Sequence, residues 1–257
     1  MSRWSLERWL PRRAQTVLLA LPVGTPAAAR TAAARAAFVQ ALDTIDANAG
    51  SRIEVVLRDD LLRWQLLPWN AALSNAAQRV ALARQAFVRT HGEAGRDWAL
   101  CLEPARYGAA TLACACDAPL LAALHDEARR RGAHVVRLRP LLSAWLNEQP
   151  RRAHSAAGWW VALHGGGVTL LLRRKGQPLH VRVCAGAAAD PAAVWAREAF
   201  AFGSDVDERV CVIDGREEVE RASAALPAGW QRLPRPALRS PTLATAAASA
   251  GPWAQAA

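Results

Sequence analysis

GWWVALHGGGVTLLLRRKGQPLHVRV, residues 158–183, is the stretch whose reading decides the fold. Its apolar runs at 159–164, 168–173 and 178–183 have the length of strands. Gly165-Gly166-Gly167 and Lys175-Gly176 separate them, so the segment predicts an antiparallel meander with tight turns. A helix around 191–201, a strand at 209–213, a helix at 216–225 and a short strand near 230–233 follow by their periodicity. Strands first, then strands alternating with helices, give a mixed sheet with helices against it.

Working outward to the N-terminal side, the same alternation recurs. The apolar run 16–21 reads as a strand, 26–47 as a helix opened by Pro26, and 52–57 as a second strand. A strand at 62–67 runs into Pro68-Trp69. Ser74 then stands where it can cap a helix whose Ala76, Val80, Ala83 and Phe87 share one face, ended by Gly92. Strands 98–103 and 111–116 are joined by a turn containing Pro and Gly and predict a hairpin. Asp117 caps the next helix, Gly132 stops it, and a strand at 134–138 follows. Pro140 is placed as the first residue of a helix that turns Leu141, Leu142, Trp145 and Leu146 inward. The expected organisation is a basic amphipathic leader over 1–15, a first α/β lobe over 16–150, a hinge at 151–157, a second α/β lobe over 158–233, and a tail over 234–257 where Pro, Ser, Thr and Ala leave no apolar periodicity.

The composition narrows the classes of function. There are 32 basic and 22 acidic residues for a net charge of +10, yet Lys175 is the sole lysine. Such a charge attracts polyanions, but the arginines are scattered and lack the aromatic interleaving of a nucleic-acid surface, so no nucleic-acid partner is expected. A nucleic-acid module would reveal itself by affinity falling steeply with salt. Cysteines at 101, 114, 116, 184 and 211 form an odd set without a CxxC pair, which fits a reducing compartment. No apolar run reaches the ~20 residues of a membrane span. Arg12-Arg13 ahead of 16–21, with Ala27-Ala28-Ala29 beyond, resembles an export signal. Pro22 interrupts that run, and a first core strand accounts for it better. The expected location is cytoplasmic, with Trp4, Leu6, Trp9 and Leu10 among arginines able to rest on a membrane surface.

The order of elements resembles the PilM-like family, the cytoplasmic actin-like proteins of type IV pilus and type II secretion assembly. The likeness runs over roughly residues 52–186. It is carried by EVVLR (54–58), LRWQLLPW (62–69), ACACDAPLL (113–121), RGA (131–133), RLRP (137–140) and WVALHGGGVT (160–169), with Lys175-Gly176 and Arg182. The resemblance implies a two-lobed actin-like (ribonuclease H-like) fold, here in a reduced form. It also implies a partner, an inner-membrane pilus or secretion assembly protein that places the chain at the periphery of the inner membrane, and it is compatible with a homo-oligomer.

The family's nucleotide site needs an Asp-x-Gly turn in each lobe to hold Mg²⁺ and aim N–H groups at phosphates. Here Ala20-Leu21-Pro22-Val23-Gly24 carries no carboxylate, and Leu163 stands where the second Asp would be. Leucine cannot coordinate a cation, so no cofactor is expected, ATP with Mg²⁺ is disfavoured, and no catalytic residue is assigned. Gly165, Gly166, Thr169, Asp214 and Gly215 remain as nucleotide-side candidates. A true ATPase would have to use Asp59, Asp60 or Asp214 instead.

Other signals have plainer readings. Cys114 and Cys116 point to one face of a strand with Cys101 on its neighbour, but no histidine pair joins them and a thiol-lined core is expected. Gly165–Gly167 lacks the Lys-Ser/Thr of a P-loop, and His91, His134, His154, His164 and His180 have no partner nearby in sequence. Eleven tryptophans are many for 257 residues. Arg63, Trp64, Trp69 and Trp145 are the candidates for a partner surface, because aromatic and arginine anchors dominate interfaces.

Overall fold

The meander forms as expected and founds a five-stranded sheet. In the computed structural model, which describes residues 14–19, 29–104, 107–149, 157–164, 167–185, 190–203, 209–214, 226–233 and the backbone of 253–254, β7 (Gly158–His164), β8 (Gly167–Arg174) and β9 (Gln177–Ala185) run antiparallel. Lys175 and Gly176 turn the second hairpin with φ of 50° and 72°, the left-handed pair that suits the strand twist. Gly167 has φ 147°, and a Cβ there would lie 2.2 Å from the Cys184 carbonyl oxygen, so β8 can approach β9 this closely only at a glycine. β10 (Val210–Asp214) pairs parallel with β7, and β11 (Gln231–Leu233) parallel with β10, giving the order β11-β10-β7-β8-β9. α5 (Pro191–Ala201), capped by the Asp190 carboxylate on Ala193 N–H, packs on one face.

The N-terminal half holds two smaller sheets. β1 (Gln15–Leu19), β2 (Arg52–Leu57) and β6 (His134–Pro140) form an all-parallel sheet in the order β1-β2-β6. α1 (Arg30–Thr44) presents Ala34, Phe38 and Leu42 to it, one turn apart along one face, and α3 (Ala118–Arg130) adds Leu120, Leu121 and Leu124 to the same core. Glu54, fully buried on β2, pairs with Arg139 of β6 at 2.5 Å. β3 (Arg63–Leu67), β4 (Ala99–Leu102) and β5 (Thr111–Cys116) form an antiparallel sheet, covered by α2 (Ala76–His91) through Leu67, Ala83, Phe87 and Leu100. A two-residue strand, β12 (Trp253–Ala254), adds to the free side of β4.

Three expectations are corrected. Asn75, not Ser74, caps α2, its side-chain Oδ1 accepting Gln78 N–H at 2.9 Å; the Ser74 N–H instead donates to the Gln78 side chain. Pro140 ends β6, and the helix α4 (Leu141–Glu148) begins one residue later. The stretch 234–257 is not wholly a tail, since Trp253 and Ala254 pair with β4. Most of the leader, residues 20–28 of the export-like segment, most of the hinge, the helix expected at 216–225 and the rest of the tail lie outside the described residues. Among the described residues no helix is long and apolar enough to cross a membrane.

The two halves meet through apolar packing. Val56, Leu112, Leu141, Leu142, Trp145, Trp160, Ala162, Leu171 and Ile213 form one buried cluster that draws on both. α4 is its centre: Pro140 fixes the entry, and Leu141, Leu142, Ala144 and Trp145 are all buried.

Candidate functional site

The junction carries a buried polar cluster beside that apolar core. β2 ends at Leu57, where Arg58 N–H donates to the Leu19 carbonyl of β1 at 3.1 Å. The chain then makes a single 3₁₀ turn, Asp59–Leu61. Arg58 grips Asp60 with two parallel bonds, Nε to Oδ1 at 2.7 Å and a terminal nitrogen to Oδ2 at 2.8 Å, while Arg30 donates to the Asp60 carbonyl at 2.9 Å.

Asp59 points the other way, into the junction, and is fully buried. Its carboxylate accepts the Leu142 N–H at the start of α4, 3.1 Å from Oδ2, and the Thr169 hydroxyl of β8 at 3.3 Å. The indole N–H of Trp64 leans towards the same carboxyl and favours its charged form, without reaching hydrogen-bond geometry. His164, the last residue of β7, brings Nε2 within 3.3 Å of Thr169 Oγ1. The arrangement that satisfies all three groups is a relay in which His164 Nε2–H donates to Thr169, and Thr169 to Asp59.

Burial sets the protonation of this relay. It pushes the Asp59 carboxyl up to about 7 against the opposing bonds from Leu142 and Thr169, and the neighbouring charge of Asp60 raises it further. Burial likewise pushes His164 down to about 4, so its imidazole is neutral at physiological pH. His164 Nδ1 has no hydrogen-bond partner among the described residues. Asp59 and Thr169 stand 110 residues apart and tie the N-terminal half to the meander.

The other nucleotide-side candidates fall differently. Leu163 is fully buried in the apolar layer under β7 with Trp159, Val161 and Val168, facing away from His164 and Asp59. Asp214 closes β10 beside Leu163 in the register and is itself buried. Gly165, Gly166 and Gly215, and the turn 20–24 of the first half, lie outside the described residues. Thr169 is thus engaged with Asp59 and His164, and Asp60 with Arg58, which leaves neither of the aspartates at 59 and 60 as an open metal ligand. Cys101, Cys114 and Cys116 do share one face of the small sheet, Cys114 and Cys116 inside the apolar core and Cys101 half-buried against it. Burial pushes Cys101 up to about 11 and Cys116 to about 12, so both are held as protonated thiols at neutral pH. Among the described residues no group of three or more His, Cys, Asp or Glu side chains could hold a metal ion.

Of the four residues expected at a partner surface, the structure separates one from the rest. Trp145 is buried in the junction core and cannot touch a partner, a correction that its place on the inward face of α4 explains. Trp64 is half-buried against both cores, and Arg63 lies with its guanidinium 6.0 Å from the Trp98 ring. Trp69 is exposed. It meets Tyr107 edge to face, ring centroids 5.1 Å apart, at a cavity of 230 Å³ bounded by Leu67, Leu73, Arg79 and Leu102. Tyr107, in the β4–β5 connection, and Arg79, on α2, carry no motif, so only the fold brings them to Trp69.

No protein-family model and no curated protein matches the sequence. Solved structures do. The chain is similar to the cytoplasmic domain of EpsL, an inner membrane component of the type II secretion system of Vibrio cholerae, at 14% identity over 80% of this chain and 77% of that one, TM-score 0.51. It is similar to a chain of the PilM-PilN type IV pilus biogenesis complex, at 16% identity over 74% and 71%, TM-score 0.51. A Bacteroides thetaiotaomicron protein with an actin-like ATPase fold and unknown function matches at 9% identity over 74% and 70%, TM-score 0.51. With a meander flanked by parallel strands in one half, a parallel sheet in the other and a junction helix between them, the chain has the two-lobed actin-like fold.

Proposed function

We propose that the chain is a non-catalytic scaffold of a type IV pilus or type II secretion-like assembly platform, working in the cytoplasm at the periphery of the inner membrane and docking a segment of an inner-membrane partner. One observation supports the reading: the junction carboxylates nearest the expected site are engaged within the protein. Asp59 is spent on Leu142 N–H and Thr169, Asp60 on Arg58, and Leu163 is packed in the core. Phosphoryl transfer is mostly positioning by a cation and its ligands, and none of these carboxylates is presented for that task. The names of two similar structures, a type II secretion component and a pilus biogenesis complex, support the class of assembly. The exposed rings of Trp69 and Tyr107, with half-buried Arg79 beside them, supply an aromatic and arginine surface of the kind that anchors a partner.

Isothermal titration of the full chain with Mg-ATP tests the reading. No saturable heat up to millimolar nucleotide is expected. Micromolar binding would restore the ATPase reading through Asp59, Asp60 or Asp214. Affinity capture from solubilised membranes is the complementary measurement, and recovery of no inner-membrane assembly protein would remove the platform assignment.

A further inference from the structure

The outermost strand of the small sheet comes from a distant part of the chain. β12 lies antiparallel to β4, Trp253 opposite Cys101 and Ala254 opposite Leu100, on the side of β4 away from β5. The alternation of β4 fixes what that side offers. Glu103 donates its N–H to the Leu112 carbonyl of the β5 side at 2.9 Å. Backbone groups of residues 101 and 99 therefore point to β5, and those of Leu100 and Leu102 point outward. Ala254 and Leu100 make the hydrogen-bonded pair of the outer ladder, and Trp253 and Cys101 the non-hydrogen-bonded pair. The next outward groups belong to Leu102. To satisfy them an incoming strand needs an N–H two residues before Ala254, and there the sequence has Pro252, which has none to give.

A two-residue strand is a weak cover for a sheet edge. The edge also leads somewhere, because Leu102 lines the Trp69–Tyr107 cavity and packs with Leu100 on the α2 face of the sheet. Any residue seated across from Leu102 shares that face, at the mouth of the cavity. An outward backbone ladder and an adjoining side-chain pocket are the two parts of a site that binds an extended segment by strand addition.

We propose that the outer edge of β4, with the Trp69–Tyr107 cavity at its end, is a strand-docking site whose resident occupant is the chain's own segment around Trp253. Its described residues, Trp253 and Ala254, supply one rung of the ladder, and the segment is exchangeable for an extended backbone bearing an N–H and an apolar side chain opposite Leu102. The inference does not rest on the assembly reading, since its test involves no partner protein.

The full-length W253C variant puts a second cysteine at the register position opposite Cys101, in a non-hydrogen-bonded pair, where cross-strand Cβ atoms approach closely enough for a disulfide. Mild oxidation and peptide mapping are expected to find an intrachain link between positions 101 and 253, at a rate independent of protein concentration. A254C, opposite Leu100, is expected to give no such link. A link between two chains, equal linking by A254C, or oxidation confined to the native Cys101 and Cys114 overturns the proposal. Exchange is read in the same assay with a synthetic peptide of residues 249–257 carrying P252V. Regaining one ladder bond, it is expected to slow the 101–253 link at least about fivefold more than the unaltered peptide does. Equal protection by the two peptides, or none by either, overturns exchangeability at this edge.

Discussion

Asp59 is a buried carboxyl that keeps its proton longer than an unfolded chain would, and this gives it a pH signature. Its folded value of about 7 lies above the ordinary 3.8, so between those values the folded chain holds a proton that the unfolded chain has released. The stability owed to it is fully present at the acid end and is lost as pH rises towards 7. His164 runs in the opposite sense. Its folded value of about 4 lies below the ordinary 6.5, so stability is lost as pH falls from 6.5 to 4. The two slopes oppose one another in the wild type, and Asp59→Asn separates them. Because asparagine keeps an acceptor for Leu142 N–H and carries no charge, the variant should be most destabilised relative to wild type near pH 4–5 and least near pH 8. Thermal unfolding of both proteins across that range, where 1 kcal/mol shifts the midpoint by about 2–4 °C for a chain of this size, checks it; a constant difference would show that Asp59 titrates normally. Among the tryptophans, Trp145→Ala empties a buried site and should cost about 3–5 kcal/mol. Trp69→Ala, at an exposed ring, should cost under about 1 kcal/mol while weakening capture of a partner. Chemical denaturation separates the pair.

At the scale of elements, β2 and β6 are held by an ion pair as well as by their ladder. Burial raises the Glu54 carboxyl above its ordinary value even though Arg139 and Arg137 lower it. A carboxylate in that position survives as a charge only while its guanidinium partner is present. Arg139→Met is therefore expected to cost about 3–5 kcal/mol, the penalty of an uncompensated buried charge, whereas Glu54→Gln with Arg139→Met should recover part of that loss. Denaturant midpoints of the single and double variants check it, and a double variant as unstable as the single one would mean that the pair matters for shape and not charge. Many of the elements themselves were legible. β5 spans Thr111–Cys116 and α5 Pro191–Ala201, where alternation, Pro at a first turn and the Asp190 cap all agree. Local signals failed where two residues could do the same job, as with Ser74 and Asn75, or where a strand is too short to show a period, as with Trp253–Ala254.

For the whole molecule, the apolar cluster around α4 makes the lobes interdependent. Val56 and Leu112 of one half and Trp160, Leu171 and Ile213 of the other close on Trp145. Unfolding should accordingly be a single transition, with tryptophan fluorescence and far-ultraviolet circular dichroism superimposing in denaturant; two separated transitions would show that each half is stable alone. The sequence by itself determined the meander, the alternation of strands and helices, and the apolar residue at position 163, because strand periodicity, turn glycines and the identity of a side chain are local properties. Tertiary structure alone decided that Asp59 meets Thr169 and His164, that Trp145 is core while Trp69 is surface, and that Trp253 returns to β4. Each of those depends on which distant segments are brought together, and no single stretch of chain encodes the depth at which its side chains are finally buried.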